Sequence, residues 1–547
     1  MREWHRRLVL LQRHGAARVR TTMTEAAAAQ RLSSPAAPLD ADDFANTRDL
    51  LETAALAYGD RDAYVEADGS RIGFADWVAR ARAVAVDLLA RGVGKGDVVA
   101  LMLPAGIDYA VCYAGAAMIG AITTGLNPRL GPLEVSGVLA KAAPALVIRD
   151  EDLGLPPVPA GLDVLPRSAL PTIAPSGIAV PYVPLGRSDP VAIIFTSGTT
   201  GLPKGAWFDA DNLAAFSRSA GVMSAPFDRR LTATPFPHAG YMAKLWDQLV
   251  WGIALVASPV PWSATRMYEV LRSQRITVGG GVPTQWAKLL DEPGVSRESL
   301  PHLRVGVVAT APAPPELVER TAARLGVPLV VRYAMTESPS ICGTEPGDPP
   351  EVLFRTVGRP QHGMSVRVTD DAGRPVPTGE IGRVRLAGDC VMRGYWREPE
   401  LSTAAYDEDG FFVSGDLGRF TAEGNLQLVG RTDDLYIRGG FNVHPLEVEH
   451  VLTEHPRVRE VAVVGEPTPV IGETGVAFVV PTHADSPPSL DDLRRWSLDR
   501  LADYKAPDRL VLLDELPTTA MQKTDRGRLR AYLEAHPAPA RSTTTKE

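Results

Sequence analysis

One short segment, rich in small and hydroxylated residues, constrains this chain more than any other. It reads FTSGTTGLPKG at residues 195–205 and follows the apolar residues 191–195, which predict a short buried strand. Such a loop can turn several backbone N–H groups and hydroxyls toward one point, where a lysine adds positive charge. The segment therefore predicts a polyphosphate-binding loop, whose candidate ligands are Thr196, Ser197, Gly198, Thr199, Thr200, Gly201 and Lys204.

The spacing excludes the two commonest phosphate-binding motifs. A Walker A loop needs Gly-Lys-Ser/Thr after four spacer residues, whereas here Pro203 precedes Lys204. The glycine spacing of a dinucleotide fingerprint is not matched either. A flexible surface loop is the remaining alternative, and it does not account for so many specific positions in series.

Length and composition indicate a multidomain globular protein. A chain of 547 residues is too long for one compact core. Its net charge of −8, without a basic stripe carrying aromatic residues, argues against a nucleic-acid partner. The three cysteines, Cys112, Cys342 and Cys390, lie far apart without metal-ligand spacing, which predicts a reducing, cytoplasmic location and no disulfides.

Two segments could be mistaken for membrane or targeting signals. Residues 109–126 carry no charge, but Ala and Gly dominate them, which predicts a helix buried in a large domain and no transmembrane segment. Residues 1–22 hold six arginines and an apolar block too short for a signal peptide. We expect residues 1–44 to be a disordered extension, with a misassigned start or a transit peptide as alternatives for residues 1–22, and residues 538–547 to be a disordered tail.

The pattern along the chain predicts an α/β fold. A helix over 77–90 precedes glycines at 92 and 94, and further short apolar runs follow helix-like segments. The predicted strands cover residues 97–103, 145–148, 252–257, 277–280, 305–309 and 329–333. This alternation predicts parallel-sheet αβ subdomains, while alternating residues at 365–369 and 382–386 predict a small β-rich subdomain.

A second domain is predicted after residue 431. Helices over 445–455 and 490–501 and strands over 460–465 and 475–480 form an α+β pattern. We therefore expect a large N-terminal domain at 45–431 and a small mobile C-terminal domain at 432–537.

The 195–205 loop resembles the phosphate-binding loop of the acyl-adenylating superfamily, which includes acyl-CoA synthetases, peptide-synthetase adenylation domains and firefly luciferase. Further motifs follow in the family's order over roughly residues 45–535. YAMTE at 333–337 resembles Tyr-Gly-x-Thr-Glu. The resemblance implies that Tyr333 packs on adenine, Thr336 meets the α-phosphate, and Glu337 helps to hold Mg²⁺, a cation that prefers oxygen ligands.

Two motifs match the ribose side and the hinge of that family. GFFVSGDL at 410–417 resembles Gly-Trp-Phe-x-Thr-Gly-Asp, which implies that Asp416 accepts hydrogen bonds from the ribose hydroxyls. GRTD at 430–433 follows at the family's spacing, so Arg431 would assist at the ribose and Asp433 would be the hinge of the C-terminal domain. An ordinary hairpin is the alternative for each.

The C-terminal motifs imply a catalytic lysine and a thiol-side surface. LPTTAMQK at 516–523 matches Pro-x-Thr-x-x-Gly-Lys, except that Gln522 replaces the usual glycine. Lys523 is therefore the expected catalytic lysine, whose ammonium would bridge the attacking carboxylate and the α-phosphate. In IRGGFNVHPLE at 437–447, Gly439 and Gly440 are candidates for lining a pantetheine channel, with a plain turn as the alternative.

Three segments resemble the acyl side of the site. PFPHAG at 235–240 is similar to Pro-x-x-His-x-x-Gly, one residue short, which implies that His238 lies beside the acyl carboxylate, with a core histidine as the alternative. VGVVATAP at 305–312 occupies the place of the Gly-Gly-Ala-Pro turn, and Thr310, in place of glycine beside Ala311, would narrow the acyl pocket. The glycines of GGGVPTQW at 279–286 could make room for a bulky chain.

The resemblance implies an ATP-dependent acid–thiol ligase that uses ATP, Mg²⁺ and CoA. It would form an acyl-adenylate and pyrophosphate, then acyl-CoA and AMP, from a fatty or other hydrophobic acid. Alternatives are an adenylating enzyme that loads a separate acyl carrier protein, an amidase-like or luciferase-like enzyme, and a non-catalytic nucleotide-binding relative. The presence of Thr336, Glu337, Asp416 and Lys523 together argues against the last.

Overall fold

The computed structural model describes residues 38–171, 179–196, 203–232, 235–259, 261–308, 314–432, 434–439, 441–468, 472–519 and 523–537. The first elements along the chain are α1 Thr47–Tyr58, β1 Asp62–Val65, β2 Arg71–Gly73, α2 Phe74–Ala90, β3 Val98–Met102, α3 Ile107–Met118, β4 Ile122–Gly125, α4 Pro132–Ala142, β5 Leu146–Arg149, β6 Val164–Pro166, β7 Pro190–Phe195, β8 Gly205–Asp209, α5 Ala210–Arg218 and β9 Arg229–Thr232.

The middle of the chain continues with α6 Ala239–Met242, α7 Leu245–Trp251, β10 Ala254–Ala257, α8 Ala264–Ser273, β11 Val278–Gly281, α9 Pro283–Asp291, β12 Val305–Val308, α10 Pro315–Leu325, β13 Leu329–Met335, β14 Ser338–Gly343, α11 Pro350–Arg355, β15 Arg359–Pro360, β16 Met364–Thr369, β17 Gly382–Gly388, β18 Gly394–Tyr395, α12 Pro399–Ala404, β19 Phe412–Phe420 and β20 Leu426–Arg431. The last elements are β21 Tyr436–Arg438, β22 Phe441–Val443, α13 Pro445–Thr453, β23 Val458–Thr468, β24 Gly472–Pro481, α14 Leu490–Leu498, β25 Arg509–Leu512 and α15 Arg526–Ala535.

Two large sheets are mainly parallel. One has the order β15-β14-β13-β12-β11-β9-β10-β1-β2, parallel from β13 to β1 with antiparallel strands added at both edges. The other has the order β18-β8-β7-β4-β3-β5-β6, with antiparallel pairing only at β8 and β18. β3 is buried along its whole length, as expected of a parallel strand covered on both faces.

Two smaller sheets complete the described part of the chain. β16-β17-β19-β20 is antiparallel, and β22-β21-β24-β23 carries β25 beside β24. The predicted α/β class, with a small β-rich part and a separate α+β C-terminal part, is confirmed. β20 ends at Arg431 and the last sheet begins at Tyr436, and the exact domain limits stay a prediction.

The predicted disorder up to residue 44 is wrong for residues 38–44, which belong to the folded structure. The backbone amide of Leu39 donates to the carbonyl of Val250 at 2.9 Å. Arg187 donates from Nε to the carbonyl oxygen of Phe44 at 2.9 Å and also bonds the carbonyl of Ala41. These bonds to distant parts of the chain leave no sequence signal, whereas residues 1–37 lie outside the described ranges.

The uncharged residues 109–126 form a helix and a strand rather than one helix. Apart from Asp108, every residue of α3 is buried, so this is an interior element as expected. Gly120, with φ 72°, turns the chain, and the β-branched residues 122–124 continue as β4 between β3 and β7. Among the helices of the described ranges, none combines the length and the apolar character that a membrane crossing requires.

The C-terminal part contacts the large part through a small mixed interface. The ring of His450 on α13 lies 5.8 Å from the ring of Phe354, and Arg355 forms a salt bridge with Glu454 at 2.7 Å. His450 Nε2 is buried without a hydrogen-bond partner in the described structure. Burial, assisted by the charge of Arg355, lowers the pKa of His450 to about 4.

We expect this histidine to make the fold sensitive to acid. Its pKa falls from an ordinary value of about 6.5 to about 4, so its contribution to stability is complete above pH 6.5 and is lost progressively as the pH falls toward 4. The loss should reach about 1–3 kcal/mol. Chemical denaturation of wild type and His450→Gln across this pH range measures it. The variant should lose less stability on acidification, and equal pH dependence of both proteins, or a similar change in the surface control His483→Gln, would contradict the assignment.

Candidate active site

A tight hairpin presents the Thr336–Glu337 pair. Met335 of β13 pairs with Ser338 of β14, so these two residues form the turn between the strands. The Glu337 carbonyl accepts a hydrogen bond from the Met392 amide at 2.8 Å, and its carboxylate accepts one from the Tyr395 hydroxyl at 3.1 Å. Both contacts hold Glu337 in one position at the end of the large parallel sheet.

Thr196 and Lys204, at the two ends of the predicted phosphate loop, lie next to each other. The Thr196 amide donates to the Lys204 carbonyl at 2.9 Å, which closes the base of the loop at the end of β7. Lys204 Nζ lies 5.4 Å from the centre of the Tyr395 ring, whose hydroxyl bonds Glu337. Cation and carboxylate thus flank one tyrosine, while Ser197, Gly198, Thr199, Thr200 and Gly201 lie outside the described residues.

Asp416 is shared by two neighbours on the ribose side. Asp416 of β19 faces Arg431 of β20 across the ladder, with 3.4 Å between Arg431 Nε and Asp416 Oδ1. The Tyr333 hydroxyl donates a short hydrogen bond to the other carboxylate oxygen. Burial, together with the Asp416 charge, raises the pKa of Tyr333, so the phenol stays protonated. A carboxylate has about four acceptor positions, so Asp416 can also receive hydroxyl groups of a ligand.

Lys523 joins this group from the C-terminal part of the chain. The Thr519 amide donates to the Lys523 carbonyl at 2.8 Å, and Thr518 pairs with Thr524, so a closed loop carries the lysine. Lys523 is accessible to solvent, although enough protein lies around its ammonium to desolvate it in part. Burial lowers the pKa of Lys523, the Asp416 and Glu337 charges raise it, and Arg431 lowers it. The ammonium therefore lies within electrostatic range of both carboxylates.

His238 is the fourth residue of this group, and a backbone hydrogen bond orients its ring. It is the N-terminal cap of α6, with Phe236 and Tyr241 stacked 3.7 Å apart on either side of it in sequence. Its Nδ1 accepts a hydrogen bond from the Gly240 amide at 3.2 Å, so the proton of the neutral ring lies on Nε2. Burial, assisted by the charge of Lys523, lowers the pKa of His238 to about 4. The ring is therefore neutral near pH 7.

A cavity of about 950 Å³ adjoins this group. Pro237 and Gly240, on either side of His238, line it, together with Tyr333. Gly280 and Gly281 of β11 line it too, whereas Gly279 does not: a Cβ there would lie 3.2 Å from the buried Trp286. The glycine run thus serves core packing at one position and the cavity at the others.

The remaining candidate residues form two groups: four lie outside the described residues, and Gly439 lies within them. Thr310, Ala311, Asp433 and Gly440 lie outside the described residues, so their roles stay predictions. Gly439, with φ 59°, begins the turn between β21 and β22, whose ends pair through Arg438 and Phe441. The plain-turn alternative thus describes its local structure, and its contact with a thiol substrate stays a prediction.

Comparison with known proteins identifies the group to which this architecture belongs. The model of the AMP-binding enzyme family matches residues 51–396, and that of the AMP-binding enzyme C-terminal domain matches residues 447–523. The chain belongs to the AMP-binding enzyme family. It is accordingly an acid–thiol ligase of the AMP-forming type, within the acyl-adenylating superfamily that its motifs resemble.

Individual relatives of the ligase cover most of its length. A feruloyl-CoA synthase of Amycolatopsis is 32% identical over 84% of this chain and 94% of its own. A long-chain-fatty-acid–CoA ligase of Mycobacterium tuberculosis is 31% identical over 83% of this chain and 92% of its own. The crystal structure of ATP-bound MatB from Rhodopseudomonas palustris superimposes with a TM-score of 0.78 at 30% identity, covering 89% of this chain and 99% of that one.

Tyr395 is a residue of the site that the sequence motifs do not indicate. Tyr395 of the ligase contacts both Lys204 and Glu337, and it lies in β18, which pairs with β8 directly after the phosphate loop. The available signal was the tripeptide Gly-Tyr-Trp at 394–396, whose Gly394 has φ 149°. A single aromatic residue in the sequence does not indicate such a role. The pairing of its strand with β8 is what brings it to the site.

Proposed function

We propose that this ligase joins a carboxylic acid with a hydrophobic body to CoA by way of an acyl-adenylate. The observation that supports it is the position of Lys523. Its ammonium, from the last domain, lies in the electrostatic field of Glu337 and Asp416 and lowers the pKa of His238 by its own charge. All four belong to the nucleotide and acyl sides of one site, which is the arrangement that the first half-reaction needs.

In the first step an oxygen of the substrate carboxylate attacks the α-phosphorus of ATP, and pyrophosphate leaves. Neutral His238 offers its Nε2 proton to the carboxylate, which orients it without adding a charge. Lys523 bridges the carboxylate and the α-phosphate, so that two anions can approach and the charge on five-coordinate phosphorus is stabilised. Thr336, next to Glu337, provides a hydroxyl to the same phosphate.

The nucleotide is held by residues of the large domain. Tyr333 packs on the adenine, Asp416 accepts hydrogen bonds from the ribose hydroxyls, and Arg431 fixes Asp416. Thr196 and Lys204, with the loop between them, receive the phosphate tail. Contacts made by both parts of the chain then exclude water from the reacting carboxylate.

Glu337 fits a role in holding Mg²⁺. Within the described ranges, no three acidic, histidine or cysteine side chains form a preformed metal cluster, so the protein would supply one carboxylate and the phosphates the rest. Mg²⁺ commonly binds in this way, with few protein ligands. When bound it would reduce the charge of the phosphates.

In the second step the thiol of CoA attacks the acyl carbon, and AMP leaves. We propose that the C-terminal domain first rotates near Asp433, which withdraws Lys523 and brings Gly439 and Gly440 to the site. The rotation must break the Arg355–Glu454 salt bridge and the contact between Phe354 and His450. The salt bridge is partly exposed and the two rings are tilted at 46°, so these two contacts cost little to break.

We propose an acid with a hydrophobic body as the substrate and CoA as the acceptor. A feruloyl-CoA synthase and a long-chain-fatty-acid–CoA ligase among the relatives support an acid with a hydrophobic body and CoA as acceptor. The apolar lining of the cavity around Leu231, Val307 and Trp262 supports it as well. An acyl carrier protein as acceptor is the alternative.

The test measures the products of both half-reactions. Purified protein with MgATP, CoA and a panel of carboxylic acids should release AMP and pyrophosphate and consume CoA in equal amounts. Asp416→Asn keeps the shape of the side chain but removes its charge, so we expect about a 10- to 100-fold higher KM for ATP. Pyrophosphate release without loss of CoA, but with acylation of a supplied carrier protein, would replace CoA by the carrier. Failure of every acid to release pyrophosphate would contradict the proposal.

A further inference from the structure

Three basic side chains, Arg230, Lys244 and Arg332, gather on the lining of the acyl cavity and are called here the basic cluster. They come from β9, from the residue before α7 and from β13. The arginine side chains are each 14% exposed. Basic groups in the interior are expensive unless they are paired, so a cluster in a substrate cavity needs an explanation.

Asp247 compensates only one of the three charges. Its carboxylate accepts from Arg230 Nη1 at 2.9 Å and from the Ser224 hydroxyl at 2.7 Å, so both of its oxygens are engaged. Arg230 also donates to the Met223 carbonyl at 2.8 Å. One ion pair is therefore complete, although Arg230 Nε remains buried without a partner.

Arg332 has buried N–H donors that make no hydrogen bond in the described structure. Its Nη1 bonds the carbonyls of Val331 and Thr344, whereas Nε and Nη2 are buried and make no hydrogen bond in the described structure. Glu345, whose side chain is half exposed, forms a salt bridge with Nη2 at 3.7 Å but no hydrogen bond. Two of the donors of Arg332 thus lack a hydrogen-bond acceptor.

Lys244 forms no salt bridge with any described carboxylate. Its Nζ lies 5.5 Å from the centre of the Phe216 ring. Burial lowers the pKa of Lys244. The charge of Asp247 raises this pKa, and the charges of Arg230 and Arg332 offset part of that increase. Asp247 and Glu345 each form a salt bridge with one arginine, so Lys244 is the member of the cluster whose charge has no salt-bridge partner among the described residues.

We propose that the basic cluster binds a second anionic oxygen group of the acid substrate, remote from the carboxylate that is activated. The simplest such substrate is a dicarboxylic acid with an apolar middle. The inference rests on the proposed function and specifies its substrate. One carboxylate lies at His238, the apolar body lies along the cavity, and the other anionic group accepts a hydrogen bond from Lys244 Nζ, with the charges of the two arginines close by.

The geometry favours this over a purely structural role. A structural cluster would satisfy its donors within the protein, as Arg230 largely does, since unpaired buried donors are rare in native folds. Glu66, Asp68 and Arg129 also line the cavity. The unpaired Lys244 is therefore the feature of the lining that selects an anionic group.

The experiment compares two matched series of acids with the full-length protein, MgATP and CoA. Monocarboxylic and α,ω-dicarboxylic acids of equal chain length are assayed for pyrophosphate release and CoA consumption. We expect a higher kcat/KM for the dicarboxylic member at the favoured length. Lys244→Met, similar in length but uncharged, should lower the ratio of dicarboxylic to monocarboxylic kcat/KM by about 10- to 100-fold, as loss of a charge-assisted hydrogen bond predicts.

Controls separate the two proposals. Lys244→Arg should keep the preference, and Lys95→Met, on a surface lysine paired with Asp189, should change nothing. Equal or better use of monocarboxylic acids by wild type would overturn the inference while leaving the ligase function intact. The same conclusion would follow if Lys244→Met folded and kept the ratio. If Lys244→Met does not fold, the wild-type ratio decides the question. A protein that binds ATP but releases no pyrophosphate with either series would contradict the proposed function.

Discussion

Lys523→Ala is expected to slow formation of the acyl-adenylate by about 10²–10³-fold, the effect of removing one charge-stabilising donor from a reaction centre. The ammonium lies within electrostatic range of His238, Glu337 and Asp416, and we propose that carboxylate and phosphate meet there. In the proposed mechanism the second half-reaction does not use this lysine, so thioester formation from supplied acyl-adenylate and CoA should be largely preserved. Pyrophosphate exchange measures the first step, and thioester formation measures the second.

Two comparisons make this result specific. Lys523→Arg keeps the charge with a different shape and should recover part of the activity. Lys95→Met removes a surface lysine charge and should leave both steps unchanged. Equal loss of both half-reactions in Lys523→Ala would show that the lysine supports the whole site rather than the adenylation step.

Asp247→Ala is expected to lower the free energy of unfolding of the large domain by about 3–5 kcal/mol. The Asp247 side chain is 1% exposed, and it balances Arg230 at 2.9 Å while Lys244 and Arg332 lie nearby. Its removal leaves a buried guanidinium without its counter-ion and adds to an existing excess of positive charge. Urea denaturation followed by tryptophan fluorescence reports the loss, since Trp246 is the neighbouring residue in α7.

A surface ion pair provides the matched control. Asp409 pairs with Arg367 at 2.9 Å, but its side chain is 71% exposed, so Asp409→Ala should cost less than about 1 kcal/mol. Asp247→Asn should lie between the two, because the amide can still accept from Ser224. If Asp247→Ala were no more destabilising than Asp409→Ala, the basic cluster would be solvated and the charge argument for it would fail.

The parallel strands were predictable because their apolar runs are continuous and glycines or prolines bound them. Residues 97–103 and 305–309 were expected as strands, and β3 and β12 cover Val98–Met102 and Val305–Val308. Residues 122–125 were assigned to a helix because their strand partners lie far away in sequence. The packing of residues 38–44 on Val250 was missed for the same reason.

Motif order indicated the nucleotide side of the site, but not the basic cluster. Thr336, Glu337, Asp416 and Lys523 lie in short runs that carry their own signal. Arg230, Lys244 and Arg332 are 14 to 102 residues apart, and each alone is typical of a charged surface residue. Only the fold shows that they line one cavity, so substrate selectivity was the part that the sequence could not specify.

The cavity and the reactive ammonium belong to separate stretches of the chain. The residues that line the cavity fall between 66 and 342, whereas Lys523 lies near the C-terminal end. Selectivity and reactivity can therefore vary independently during evolution. Redesign of the cavity lining that keeps His238, Thr336 and Glu337 would therefore change the preferred acid and leave Lys523 unchanged.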